Sequence, residues 1–432
     1  MTQPAVAPSP ESIVIPRQVA SQPTSHSILI YGMNYAPEMA GVGRYTGEIA
    51  EHLAALGSQV TVVTCPPHYP GWAVPKGFRN RYGRGTEGGV RVYRTPLVLR
   101  RRMGGVWRLI APLTFALSSA PVVFWQILRR RPDTVMCVEP TLFASPVALL
   151  AASLVGAQTV LHVQDLEVDA AFAVGHLGKA KWLAGLAYGF ERLVLRNFDR
   201  IITISERMRQ KLAEKGIAAE KLAVLRNWVD LEHIFPLEGD TSYRDELGYA
   251  AGDFIVLYSG NIGAKQGLNV LLDAAERLSV SRPHIKFVIA GEGPVKDDLV
   301  SQYGHLPNLR FLPFQPYARL NEFLNMADLH ALPQDRGAAD LVLPSKLGGM
   351  LASGKQIVVT AEPETELANF LGGSTILIAP GDAEELATAI ERAARGVVQD
   401  RAELRLSLSR RLSKSIGIAE FAALVGAVPA RE

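Results

Sequence analysis

Cysteine is nearly missing from this chain of 432 residues: only Cys65 and Cys137 occur, each in or beside an apolar, strand-like run. That excludes a disulfide framework and a cysteine metal site, and it fits a reducing cytosol. Excess charge is missing too. The 45 Lys and Arg face 42 Asp and Glu, a formal net charge of +3, so the basic residues do not dominate as they would in a dedicated nucleic-acid binder. The first 27 residues are rich in Pro, Ser and Gln and have no apolar stretch like that of a signal peptide; a disordered tail over 1–27 is expected. Also absent are G-x-G-x-x-G, G-K-[ST], G-x-S-x-G and Asp-x-Asp at a strand end, so neither a dinucleotide fold, a P-loop, a hydrolase elbow nor that metal motif is signalled.

What is present alternates. Short apolar runs followed by amphipathic stretches recur along the chain, which reads as α/β, and the length suits two doubly wound domains of roughly 200 residues each. The stretch FIVLYSGNIGAKQGL (254–268) organises the second half. Phe254 to Tyr258 can be buried on both faces as a central parallel strand. Gly260, Asn261 and Gly263 then break the chain before Lys265 and a helix. Such a loop presents unpaired N–H groups and a positive helix end to one spot, which suits a phosphate, and Lys265 adds a point charge. A bland turn is the other reading. KFVIAGEGP (286–294) ends in Gly291, Glu292, Gly293 and Pro294, and further strands are expected at 308–316, 328–334 and 356–360.

In the first half, strands are expected at 28–31, 59–65, 134–140, 158 onward and 200–205. Gly41-Val42-Gly43-Arg44 lies where the first helix begins; it reads equally as a second phosphate loop, with Gly41, Gly43 and Arg44 on the anion, or as a turn that packs on the sheet. His162, Asp165, Glu167 and Asp169 gather at the end of a parallel strand, where open α/β sheets bind their ligands. Between Lys76 and Arg131 stand 13 basic residues and a single acidic one, Glu87. Within that region 109–128 is uncharged over about the length of a bilayer span, with Trp107 and Trp125 near its ends. It reads as a span, as a core helix with a basic rim, or, in view of the strand-helix alternation that resumes after it, as an interfacial helix pair on an anionic membrane surface.

Three loops, Ser259–Gly267, Gly291–Pro294 and Pro344-Ser345-Lys346 before a helix ending at Ala352-Ser353-Gly354-Lys355, together resemble the C-terminal domain of the family 4 glycosyltransferases. The first half agrees in Gly41–Arg44, in ITISE (202–206) and in RNWVD (226–230), where most members have Asn-Gly-Val-Asp. The likeness covers 28 to about 400. GMNYAPEMAGVGRYTGEIA, HVQDLEVDAAF and LPSKLGGMLASGK are most similar to the colanic-acid-type fucosyltransferases of bacterial exopolysaccharide clusters. The resemblance implies the GT-B fold: an acceptor-binding Rossmann-like domain over 28–235, a nucleotide-sugar-binding one over 236–400, and a helical segment over 401–432. It implies a retaining enzyme that takes a nucleotide-sugar, with GDP-fucose as the candidate, as substrate; because Lys265, Lys346 and two helix N-termini can stabilise the leaving diphosphate and no Asp-x-Asp stands at a strand end, no metal or cofactor is expected.

By that resemblance Lys265, Gly260 and Gly263 hold the donor diphosphate, Ser345 and Lys346 complete the clamp, and Gly291–Pro294 and Phe314–Tyr317 lie against the nucleoside. His162 and Asp165 are the candidates for touching the sugar or the acceptor hydroxyl. The chain departs from the family at two glutamates that normally stand eight positions apart: Leu341 and Gly349 occupy those places, so hydroxyl contacts must come from elsewhere, Asp340 or backbone groups. The acceptor implied is a polyprenyl-diphosphate-linked saccharide, which places the protein peripherally on the cytoplasmic face of the membrane. A GT-B 2-epimerase and a non-catalytic nucleotide-sugar sensor are the competing expectations.

Overall fold

A computed structural model describes residues 26–38, 41–69, 71–100, 107–166, 181–239, 241–335 and 343–427. Their strands form two sheets. The first contains β1 (Ser27–Tyr31), β2 (Gln59–Thr64), β3 (Gly83–Glu87), β4 (Val90–Arg94), β5 (Thr134–Glu139), β6 (Gln158–Val163), β7 (Arg200–Thr203) and β8 (Leu222–Val224) in the order β3-β4-β2-β1-β5-β6-β7-β8. All its pairings are parallel except that of β3 with β4. β5 is buried at every position, the pattern of a strand covered on both faces.

One face of this sheet is covered by the helices 107–130, 145–155 and 181–196, which share a core with Leu29, Val63, Val135 and Leu161. Ala111, Phe115, Val123 and Ile127 of the first of these are fully buried. The uncharged stretch is therefore one continuous helix, Trp107–Arg130, with Pro112 and Pro121 inside it, and the expected helix pair is corrected to a single amphipathic rod. The other face carries the helix Val42–Ala55 and, from the far end of the chain, Lys414–Leu424. Ile418, Phe421 and Ala422 of that last helix join Ile28, Ile30, Val60 and Trp228 in one cluster.

The second sheet contains β9 (Phe254–Ser259), β10 (Ile285–Ala290), β11 (Leu309–Leu312), β12 (Leu329–Leu332), β13 (Gln356–Thr360) and β14 (Ile376–Ile378), in the order β11-β10-β9-β12-β13-β14. Its pairings are all parallel. Numbered within the domain, this is the doubly wound order 3-2-1-4-5-6, whose direction reverses between β9 and β12. Leu268–Ser281 and Ala383–Ala394 cover one face, and Leu347–Ala352 with Ala402–Arg411 the other.

The chain crosses between the domains twice, and the crossings touch. Val229 N–H donates to the Leu412 carbonyl at 2.8 Å and Lys414 N–H donates back to Val229 at 2.8 Å. A second tie is Glu366 of the second domain. Its carboxylate accepts from the backbone N–H of Glu206 (3.1 Å) and Arg207 (2.8 Å), at the start of the helix Glu206–Glu214, and from the Arg226 guanidinium (2.9 Å).

Candidate active site

The loops after β9, β10 and β12 converge at the point where the second sheet reverses, and glycine is what lets them touch. A Cβ on Gly291 would stand 1.8 Å from the Gly260 carbonyl oxygen, and one on Gly293 2.0 Å from that of Ile262. The β9 and β10 loops therefore lie backbone on backbone, joined by Ile262 N–H to the Glu292 carbonyl at 2.9 Å. Glu292 is exposed and pairs with Lys296 at 2.8 Å, and the same ammonium donates to the Gly291 carbonyl at 2.9 Å. Lys265, in the short turn Ala264–Gln266, and Asn261 are exposed. The β12 loop closes on this turn through Asp335 N–H to the Lys265 carbonyl, 3.3 Å.

Lys346 comes in from the start of the helix Leu347–Ala352. Its ammonium donates to the Tyr258 hydroxyl at 2.6 Å and lies 4.0 Å from the centroid of the Tyr258 ring. That hydroxyl in turn donates to the Asn261 carbonyl. A Cβ on Gly260 would lie 3.1 Å from Lys346 Cε and 3.2 Å from Nζ. Among the described residues no carboxylate pairs with Lys346, and burial pulls its ammonium down to about 7 from a usual 10.5. Lys346, Gly260 and Asn261 are thus brought together, with exposed Ser345 next to them in the chain. Asp340 lies outside the described residues.

Across the interdomain crevice, Arg226 and Asn227 line the same hollow as Pro344, Ser345 and Gly348. Asn227 exchanges two hydrogen bonds with Gln164, at 3.0 and 3.1 Å, and Gln164 approaches His162 Nε2 at 3.0 Å. His162 itself is buried beside the Phe421 ring, and that burial holds it down at about 4, hence neutral. His162 is thus linked to the crevice lining through Gln164 and Asn227. Asp165 is exposed beyond β6, while Glu167 and Asp169 lie outside the described residues.

At the first sheet's own reversal, Gly41 opens the helix Val42–Ala55 with φ 65°. Gly43 is a packing position. A Cβ there would stand 2.4 Å from an oxygen of Glu38, a buried carboxylate that already accepts from the N–H of His68 (2.9 Å) and Tyr69 (3.1 Å). Arg44 donates to Glu48 at 3.0 Å and reaches over Tyr317 of the other domain, 5.7 Å from its ring centroid. The opposite partner of Tyr317 is His233, stacked at 4.1 Å. The half-buried Tyr317 ring therefore touches a side chain of the first domain, and Phe314 of the same segment is exposed.

Sequence reasoning missed Tyr258 and the Glu366 tie. Tyr258 had a signal: it is the one residue of the run Phe254–Tyr258 with a hydroxyl, and a buried tyrosine tip needs a partner.

Comparison with known proteins agrees with this architecture. Residues 40–228 match the glycosyl transferase 4-like domain, and residues 240–409 match glycosyl transferases group 1. The chain is 43% identical over 380 residues to the protein of Escherichia coli (strain K12) assigned as colanic acid biosynthesis glycosyl transferase WcaI, covering 85% of this chain and 91% of that one. In structure it is similar to sucrose-phosphate synthase from Thermosynechococcus elongatus (TM-score 0.70, 16% identity, 92% of this chain and 98% of that one). It is also similar to Anabaena Alr3699/HepE in complex with UDP-glucose (TM-score 0.61, 16% identity, 93% of this chain and 100% of that one). Two doubly wound domains and two matching halves lead to one conclusion: the chain belongs to the family 4 glycosyltransferases and has their GT-B fold.

Proposed function

We propose that this glycosyltransferase moves a sugar from a nucleotide-sugar to a lipid-linked saccharide during exopolysaccharide assembly, the process named for its relative WcaI. One observation carries the donor half: a half-buried ammonium, Lys346, with no carboxylate partner among the described residues, at the reversal point of a parallel sheet. Holding an uncompensated cation there is costly. A diphosphate supplies the missing counter-charge, and the UDP-glucose complex of HepE supports the same ligand class.

In this reading the diphosphate lies along Gly260–Gly263 with Lys265 and Lys346 on its oxygens and Ser345 beside it. Transfer develops positive charge on the sugar ring and negative charge on the leaving diphosphate, and the two lysines stabilise the latter. The acceptor oxygen forms its bond to the anomeric carbon on the face from which the phosphate oxygen departs, and that oxygen takes the acceptor proton. Configuration is then retained with no enzyme nucleophile, and the lysines do the work a divalent ion does elsewhere. GDP-fucose is the donor we favour from the subgroup likeness. The acceptor half rests on the helix Trp107–Arg130, which exposes Leu113, Leu117 and Trp125 and ends in Arg129 and Arg130, followed by Arg131. This face suits peripheral docking on an anionic cytoplasmic membrane surface.

The deciding experiment offers the protein UDP-, GDP- and dTDP-sugars and follows thermal unfolding and sugar release. One donor class should raise the unfolding temperature in the parent and not in Lys346→Ala. Equal protection of both proteins would overturn the assignment of the clamp.

A further inference from the structure

The amino ends of β13 and β14, at the opposite edge of the sheet from the donor loops, enclose a separate hollow of about 260 Å³. Its lining includes Gln356, Ser374, Arg392, Arg401 and Arg405. Arg405 is 2% exposed and fully engaged: it donates to the Gly354 carbonyl (2.9 Å), to the Ser374 carbonyl (3.2 Å) and to the Asp400 carboxylate. Asp400 is thereby spent on Arg405. Arg401 donates to the Gly373 carbonyl at 2.7 Å, and neither Arg401 nor Arg392 has a carboxylate partner among the described residues.

Two further atoms lack partners. Ser374 is 1% exposed, and its hydroxyl, like the side-chain oxygen of Gln356, is buried without a hydrogen bond. Buried polar atoms are nearly always paired, so the Ser374 hydroxyl asks for an acceptor, whereas the Gln356 oxygen asks for a donor such as water. Two guanidiniums with spare N–H forks and a hydroxyl around a small polar space are the chemistry that holds a tetrahedral oxyanion. The space is smaller than a drug-sized pocket, so it fits a phosphoryl group with little attached.

We propose that this hollow is a second anion site, which takes a phosphate-class oxyanion on Arg392 and Arg401 with the Ser374 hydroxyl beneath it. The anion is inorganic phosphate or a small phosphate monoester. The hollow is joined to the donor site by one short element: Arg405 fixes Gly354, two residues beyond the helix Leu347–Ala352, and Lys346 stands at that helix's other end.

The test is calorimetric titration of the Lys346→Ala protein at low ionic strength, with inorganic phosphate in one arm and glucose 1-phosphate in the other. Lys346 is removed so that the donor loops do not compete, and the Arg392 readout identifies this hollow whether or not the diphosphate reading of those loops holds. Saturable binding is expected, weakened roughly tenfold or more by Arg392→Gln and further by Arg392→Gln with Arg401→Gln. Arg401 also holds the Gly373 carbonyl, so the decisive variant is Arg392→Gln alone, an exposed side chain whose loss leaves the fold intact. The arm that binds more tightly identifies the source. Binding unchanged by Arg392→Gln, or no saturable binding in either arm, overturns the proposal.

Discussion

The Lys346 ammonium rests on the hydroxyl of Tyr258 at 2.6 Å, and that hydroxyl donates its own hydrogen bond to the Asn261 carbonyl. The β9 loop and the helix Leu347–Ala352 are therefore tied through one phenol. Tyr258→Phe keeps the ring under the cation and removes its acceptor. The free protein should lose about 1–2 kcal/mol of stability, since a half-buried charged donor is left unpaired. Saturating nucleoside diphosphate should recover most of that loss, because the diphosphate takes over the ammonium. Urea unfolding with and without the nucleotide measures both, and an equal loss in the two conditions would show that Tyr258 only fills space.

Lys346→Met separates stability from catalysis. Burial lowers the lysine in the folded state to about 7, while the unfolded chain keeps the ordinary value of 10.5. Below pH 7 the folded protein carries the whole cost of the buried charge; between pH 7 and 10.5 the unfolded state binds more protons, so the cost fades as pH rises. The methionine variant should thus be more stable than the parent by about 1–4 kcal/mol at pH 6, with the gain vanishing above pH 10.5. Its turnover should fall at least tenfold, about 1.4 kcal/mol of leaving-group stabilisation. Lys265→Ala should lower turnover similarly.

His162 titrates low for the same physical reason, and with the opposite consequence for function. Its folded value near 4 lies below the ordinary 6.5, so the unfolded chain takes up the proton first and stability declines as pH falls from 6.5 to 4. His162→Asn should flatten that decline. The pH profile of turnover between 6 and 8 should be the same in parent and variant, because the ring stays neutral throughout; a basic limb lost with the variant would make His162 an acid or base after all.

Leu117 and Trp125 are 77% and 58% exposed on the outer side of the helix Trp107–Arg130. Leu117→Glu with Trp125→Ala should weaken co-sedimentation with anionic liposomes by about a hundredfold, since burying one such side chain is worth roughly 1.5–3 kcal/mol. Hydrolysis of the donor by water should be nearly unchanged, as the phosphate loops belong to the other domain. Undiminished sedimentation would remove this face from the docking surface.

How much of this was legible before folding depended on burial. Strands such as β1, β5 and β9 are covered on both faces and announced themselves as unbroken apolar runs. β3, whose sequence is GRGTE, is exposed along nearly its whole length and pairs antiparallel at the sheet edge; with two glycines and two charges it offers no alternation to read. The glycine loops were legible for a related reason, since close backbone approach leaves glycine no substitute. Lys346 could be placed by its neighbours in sequence, but its partner Tyr258 is 88 positions away, and no local pattern encodes a contact of that span. The burial of His162 beside Phe421 was not legible, because a histidine at a strand end looks the same in sequence whether it faces a cleft or lies under a ring.

The helix Lys414–Leu424 finishes a domain that the chain began with β1. Phe421 and Ile418 fill the same cluster as Ile28, Ile30 and Trp228, and Gly417 packs so closely on Trp228 that a Cβ would lie 2.9 Å from its ring. During synthesis the helix Val42–Ala55 covers only part of that face, and the rest stays open while the entire second domain is made. A chain cut short after the second domain would have whole donor loops and an acceptor half that still shows Ile28, Ile30 and Trp228 to water.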